Sequence, residues 1–102
     1  MTAADGCGAP AGGVSAPADA GNQAVVAGRV THDGAVVATG YARLLDSGGD
    51  FVAEVPLGGD GGFRFYAAPG TWTVRVLAPG GLAGDCPVTA ATGRQVSVEV
   101  TV

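Results

Sequence analysis

The last eight residues, Gln95-Val96-Ser97-Val98-Glu99-Val100-Thr101-Val102, alternate polar and apolar side chains without a break. A strand sends successive side chains to opposite faces, so this spacing buries Val96, Val98, Val100 and Val102 and leaves Gln95, Ser97, Glu99 and Thr101 outside. A helix would scatter the same valines around its axis. No 3.6-residue period persists anywhere in the chain, which predicts an all-β fold with almost no helix.

Shorter runs of the same kind precede it, each closed by a turn signal. Ala24 to His32 ends at Asp33-Gly34, a dipeptide that tolerates positive φ in a tight turn. Gly40 to Leu45 ends at Asp46-Ser47-Gly48-Gly49. Phe51 to Val55 is read with Phe51, Ala53 and Val55 inward and Val52 and Glu54 outward. Phe63-Arg64-Phe65-Tyr66 and Trp72 to Leu77 flank Ala67-Ala68-Pro69-Gly70-Thr71, whose Pro-Gly pair predicts a hairpin. Its inward set, Phe63, Phe65, Trp72, Val74 and Val76, carries most of the aromatic mass and is expected to anchor the core. A run near Cys86 to Thr89 holds Pro87, which suits an edge strand. Nineteen glycines and six prolines supply this punctuation. The sum is a seven-stranded antiparallel β-sandwich over residues 23–102, preceded by a flexible Ala/Gly/Pro/Ser tail over residues 1–22.

Several function classes are excluded at this point. Nine acids stand against five arginines and no lysine, a net charge of −4, so no basic stripe exists for a nucleic-acid backbone. No apolar stretch reaches the ~20 residues of a membrane span. The first residues have neither the basic start nor the apolar middle of a secretory leader, which leads to the expectation of a cytoplasmic protein. Reducing conditions there argue against a Cys7–Cys86 disulfide as a structural staple. Two cysteines and the single His32 are too few for a zinc site, and no cofactor motif is present. Gly58-Gly59-Asp60-Gly61-Gly62 precedes a strand rather than a helix, so it reads as a turn and not a phosphate cradle.

Gly28-Arg29-Val30, Asp33-Gly34 and Ala42-Arg43-Leu44, followed by Gly62-Phe63-Arg64-Phe65 and Pro69-Gly70-Thr71-Trp72-Thr73-Val74, resemble carboxypeptidase-regulatory-like domains, which are transthyretin-like sandwiches. The segments Ala42 to Ser47, Phe51 to Val55 and Phe63 to Arg75, with Cys7-Gly8-Ala9-Pro10 near the start, resemble more closely a family of small actinobacterial proteins of unknown function. These are labelled SseC-like sulfur-metabolism proteins because their genes lie beside thiosulfate sulfurtransferases. The resemblance implies a sulfurtransferase as protein partner and Cys7 as a candidate sulfur acceptor. No Lys, Arg or His lies near Cys7 in sequence to activate it, so an inert tail thiol is the competing reading.

No catalytic constellation emerges. His32 reads as a turn histidine with no nucleophile or second ligand beside it. Cys86 reads as a small half-buried residue, with a Cys7–Cys86 redox pair as the alternative. The outward positions of the expected hairpin bring Arg64 and Tyr66 beside Thr73 and Arg75, and residues of these types are enriched at interfaces. Tyr41 and Arg43 share that outward parity on another strand. The leading reading is a non-enzymatic interaction module that uses this face or the Cys7 tail, with a homodimer through an exposed edge as a further expectation. A structural cell-surface module is the alternative. A transthyretin-like hydrolase is disfavoured, because such enzymes rely on histidines and a Tyr-Arg-Gly-Ser ending that this chain lacks.

Overall fold

The alternating C-terminal run does form a strand, Gln95–Thr101, and it lies beside the first long strand, Ala24–His32. The computed structural model describes residues 7–8 and 23–102. In chain order its strands are β1 (Cys7–Gly8), β2 (Ala24–His32), β3 (Ala35–Val36), β4 (Tyr41–Leu45), β5 (Phe51–Pro56), β6 (Gly62–Ala67), β7 (Gly70–Ala78), β8 (Leu82–Ala90) and β9 (Gln95–Thr101). Helical structure among these residues is limited to one 3-10 turn, Pro79–Gly81. Seven of the strands are five residues or longer, as expected.

They form two sheets. One runs β1–β9–β2, with β6 and the short β3 both paired to β2; the other runs β5–β4–β7–β8. Val26, Val30, Phe63, Phe65, Val74, Val76, Val98 and Val100 are buried as predicted, and Ala42, Leu44, Cys86 and Val88 complete the core between the sheets. Burying each large apolar side chain is worth roughly 1.5–3 kcal/mol, so a domain with ~5–15 kcal/mol of net stability depends on every one of them. The β2–β3 hairpin turns at Asp33 and Gly34, both at positive φ (52° and 84°), as that dipeptide predicts.

Four expectations are corrected. The β2–β9 pair is parallel, with Val25 opposite Gln95 and Thr31 opposite Thr101; every other pair is antiparallel. Phe63–Tyr66 and Trp72–Leu77 do not form a hairpin. β6 pairs with β2, whereas β7 pairs with β4 and β8, so the chain crosses between sheets at Ala68-Pro69. The indole N–H of Trp72 donates to the Ala68 carbonyl at 2.8 Å and pins that crossing. Phe51 faces out, 58% exposed, because a bulge between Leu44 and Leu45 shifts the β4–β5 register and reverses its parity. Finally, Cys7–Gly8, placed in the expected tail, forms a strand antiparallel to β9, with Cys7 opposite Val100. The remainder of that expected tail lies outside the described residues.

Candidate functional site

Strand order, rather than any one motif, builds the most distinctive surface. Arg43 on β4 faces Glu54 on β5 to one side and Arg75 on β7 to the other, and Arg75 faces Asp85 on β8. One row, Glu54–Arg43–Arg75–Asp85, thus spans the outer face of the four-stranded sheet. Arg43 Nε donates to Glu54 Oε1 at 2.9 Å. Arg75 donates through Nε and Nη2 to the two Asp85 oxygens at 2.9 and 3.1 Å, the fork geometry that suits a guanidinium. These hydrogen bonds, followed by the charge of Asp85, raise the Arg75 pKa above the ordinary guanidinium value. Each arginine sits between two buried neighbours of its own strand, Ala42 and Leu44 beside Arg43 and Val74 and Val76 beside Arg75, so the backbone beneath the row is firmly seated.

Aromatic and apolar groups flank the row. The Arg43 guanidinium carbon stands 5.7 Å from the centroid of the exposed Phe51 ring, within cation–π range. On the other side, Tyr41 is half exposed opposite Pro56 and Leu77. Tyr41, Pro56, Leu57, Leu77 and Pro79 line a shallow, mostly apolar cleft of about 390 Å³. Gly40 also lines it, at φ 137°, where a Cβ would sit 2.5 Å from the Leu77 carbonyl oxygen. A side chain there would need both a strained backbone and space that is already taken.

The expected face of Arg64, Tyr66, Thr73 and Arg75 is divided by the crossing at Ala68-Pro69. Arg64 and Tyr66 alternate with buried Phe63 and Phe65 and so lie on the outer face of the β9–β2–β6 sheet. Thr73 and Arg75 alternate with buried Val74 and Val76 and lie on the outer face of the opposite sheet. The true neighbour of Arg75 is Arg43, a residue whose outward parity was legible but whose sheet was not.

Cys86, expected to be half-buried, is fully buried in β8 and is disulfide-bonded, which accords with the redox-pair alternative and not with an inert small residue. Cys7, the candidate sulfur acceptor, has its backbone in β1; its side chain lies outside what the structure describes. His32 ends β2, where its Nδ1 donates to the Val102 carbonyl and its Nε2 lies 3.4 Å from Asp33 Oδ2. The ring therefore ties the end of β2 to the C-terminus. Among the described residues no group of three or more His, Cys, Asp or Glu is placed to hold a metal ion, and no helix is long and apolar enough to cross a membrane.

A crystal structure of a DUF3823 family protein from Parabacteroides merdae is similar in fold, with a TM-score of 0.59 at 20% identity over 78% of this chain and 46% of that one. The chain thus spans about half of that protein. Two Mycobacterium tuberculosis proteins, the uncharacterized proteins Rv0814c and Rv3118, are each 42% identical over 100 residues, covering 93% of this chain and 99% of their own. An uncharacterized protein of Mycolicibacterium smegmatis is 47% identical over 64 residues, 62% of this chain and 71% of its own length. A family model described as a protein of unknown function, DUF1416, matches residues 7–102, the two-residue strand β1 and the whole sandwich together. This β-sandwich therefore belongs to the DUF1416 family, with relatives among the mycobacteria.

Proposed function

We propose that this domain is a non-enzymatic interaction module that docks a protein partner on the outer face of its β5–β4–β7–β8 sheet. The observation that carries the reading is the Arg43–Arg75 pair at the centre of that face, bracketed by exposed Phe51 and by the Tyr41 cleft. Arginine and tyrosine on a flat sheet offer large contact area and directed donors, and both are enriched among the residues that dominate binding energy at interfaces. The guanidiniums keep donor capacity beyond their intramolecular bonds, since each carries five N–H groups. The partner fitting this face presents carboxylates to the arginines and an apolar side chain to the cleft.

A thiosulfate sulfurtransferase is the first partner to test, on the strength of the sequence resemblance, and the setting proposed is cytoplasmic. A sulfur-accepting role for Cys7 requires a free thiolate and so belongs to the reduced protein. Titration of the purified sulfurtransferase with wild type should give a saturable isotherm. The Arg43→Gln/Arg75→Gln variant should bind on the order of 100-fold more weakly, the scale of hot-spot loss. Arg64→Gln/Tyr66→Ala, on the opposite sheet, should bind as wild type does. Absence of wild-type binding at micromolar concentration rejects the sulfurtransferase, and equal binding by the first variant rejects the face. The thermal midpoint of the Arg43/Arg75 variant should stay near that of wild type, because exposed ion pairs add little stability.

A further inference from the structure

Cys86 sits in the middle of β8 with no exposed surface, opposite Val74, and is disulfide-bonded. The chain has two cysteines, so within one molecule the second sulfur is that of Cys7. The backbone agrees with this pairing. β1 pairs with β9 through Cys7–Val100 and Gly8–Glu99, and it also lies against β8. Val100, whose backbone lies opposite that of Cys7, is fully buried. At this corner the two sheets close on each other: a Cβ at Gly84 of β8 would stand 3.0 Å from the Thr101 carbonyl oxygen and 3.3 Å from Cγ1 of Val100.

We propose that the Cys7–Cys86 disulfide is a reversible clasp, which when oxidised holds β1 over the outer edge of β9 and when reduced releases it. Two residues of ladder do not offset the entropy lost in ordering their backbone, so β1 depends on its covalent tie. The rest of the sandwich does not. β9 is paired with β2 along its whole length, from Gln95 to Thr101, and β8 is paired with β7 from Leu82 to Ala90. The Cys86 thiol left behind is a small apolar group well suited to a core. Reduction therefore opens one edge, that of β9, and unpaired edges are where extended segments of other chains add.

The chemistry is thiol–disulfide exchange with a dithiol reductant. One reductant thiolate attacks the disulfide during fraying of β1, since Cys86 itself is covered, and forms a mixed disulfide. The second reductant thiol then displaces the remaining protein sulfur. The protein's S–S bond breaks and two S–H bonds form. The reductant's two thiols become its own disulfide, so two electrons and two protons pass to the protein.

Hydrogen–deuterium exchange of the full chain, read by mass spectrometry with and without dithiothreitol, tests the clasp. The Glu99 amide, on the side of β9 that faces β1, should exchange about tenfold or more faster after reduction, while the amides of β4 and β7 stay protected, as expected when only a peripheral element opens. Cys7→Ser should show the faster pattern without reductant. Non-reducing peptide mapping should recover Cys7 and Cys86 as one linked peptide. Two free thiols in protein purified without reductant would overturn the proposal. So would unchanged exchange at Glu99, or loss of protection across β4 and β7 together, which would make the bond a staple for the whole fold.

Discussion

Gly28→Ala should lower the unfolding free energy by about 3 kcal/mol or more, at the upper end of what overpacking costs. Gly28 lies midway along β2, between Phe63 of β6 and Val98 of β9. A Cβ built there would stand 2.4 Å from the Val98 carbonyl oxygen and 2.5 Å from Cζ of Phe63. The first neighbour is backbone in a central parallel pair, and the second belongs to a ring that is itself buried. Neither has room to give, so β2 and β9 must part or Phe63 must leave the core. For a domain of this size the loss corresponds to a fall of roughly 12–24 °C in thermal midpoint. Trp72, the single tryptophan, reports the transition by fluorescence. Gly59→Ala is the matched control: it has ordinary backbone and no neighbour within 4 Å, so it should leave the midpoint near wild type. A Gly28→Ala midpoint equal to that of the control would sink the packing argument.

Leu44→Ala should cost about 3 kcal/mol, within the ~2–5 kcal/mol range of leucine truncations that leave cavities. Leu44 is 1% exposed and lies in the middle of the four-stranded sheet, opposite Ala53 on one side and Val74 on the other. Small or β-branched neighbours held by ladder bonds cannot extend to refill the space. Leu44→Met conserves volume and should cost under ~1.5 kcal/mol. Urea titrations of the two variants separate the causes. Similar losses in both would mean that shape or strain, not the vacated volume, sets the cost.

The inward set of this sandwich could be read from alternation alone, because each strand carries its own two-residue period wherever it ends up. Strand partners could not. A linker such as Ala67-Ala68-Pro69-Gly70 serves equally for a hairpin and for a crossing to the facing sheet, and Phe63, Phe65, Val74 and Val76 point inward in either case. That ambiguity put Arg64 and Arg75 on one expected surface when the fold places them on opposite ones. Alternation is also blind to strand direction, so the parallel pairing of β2 with β9 left no trace in either segment. Phe51 misled for a different reason: two successive buried leucines, Leu44 and Leu45, were the available sign of a bulge that reverses parity. Gly28 was visible as a fixture of the Gly28-Arg29-Val30 run, but its purpose depends on a phenyl ring that arrives from β6.

The row across the four-stranded sheet has one property that follows from its order alone. Its signs run negative, positive, positive, negative from Glu54 to Asp85, and so are the same in either direction. Two copies laid face to face with their rows in line would meet like charge with like charge, whichever way round they approached. The surface is a palindrome that rejects its own image. A foreign surface with carboxylates at its centre would suffer no such clash, so on the docking role proposed above the same order would favour a different molecule over an aligned copy.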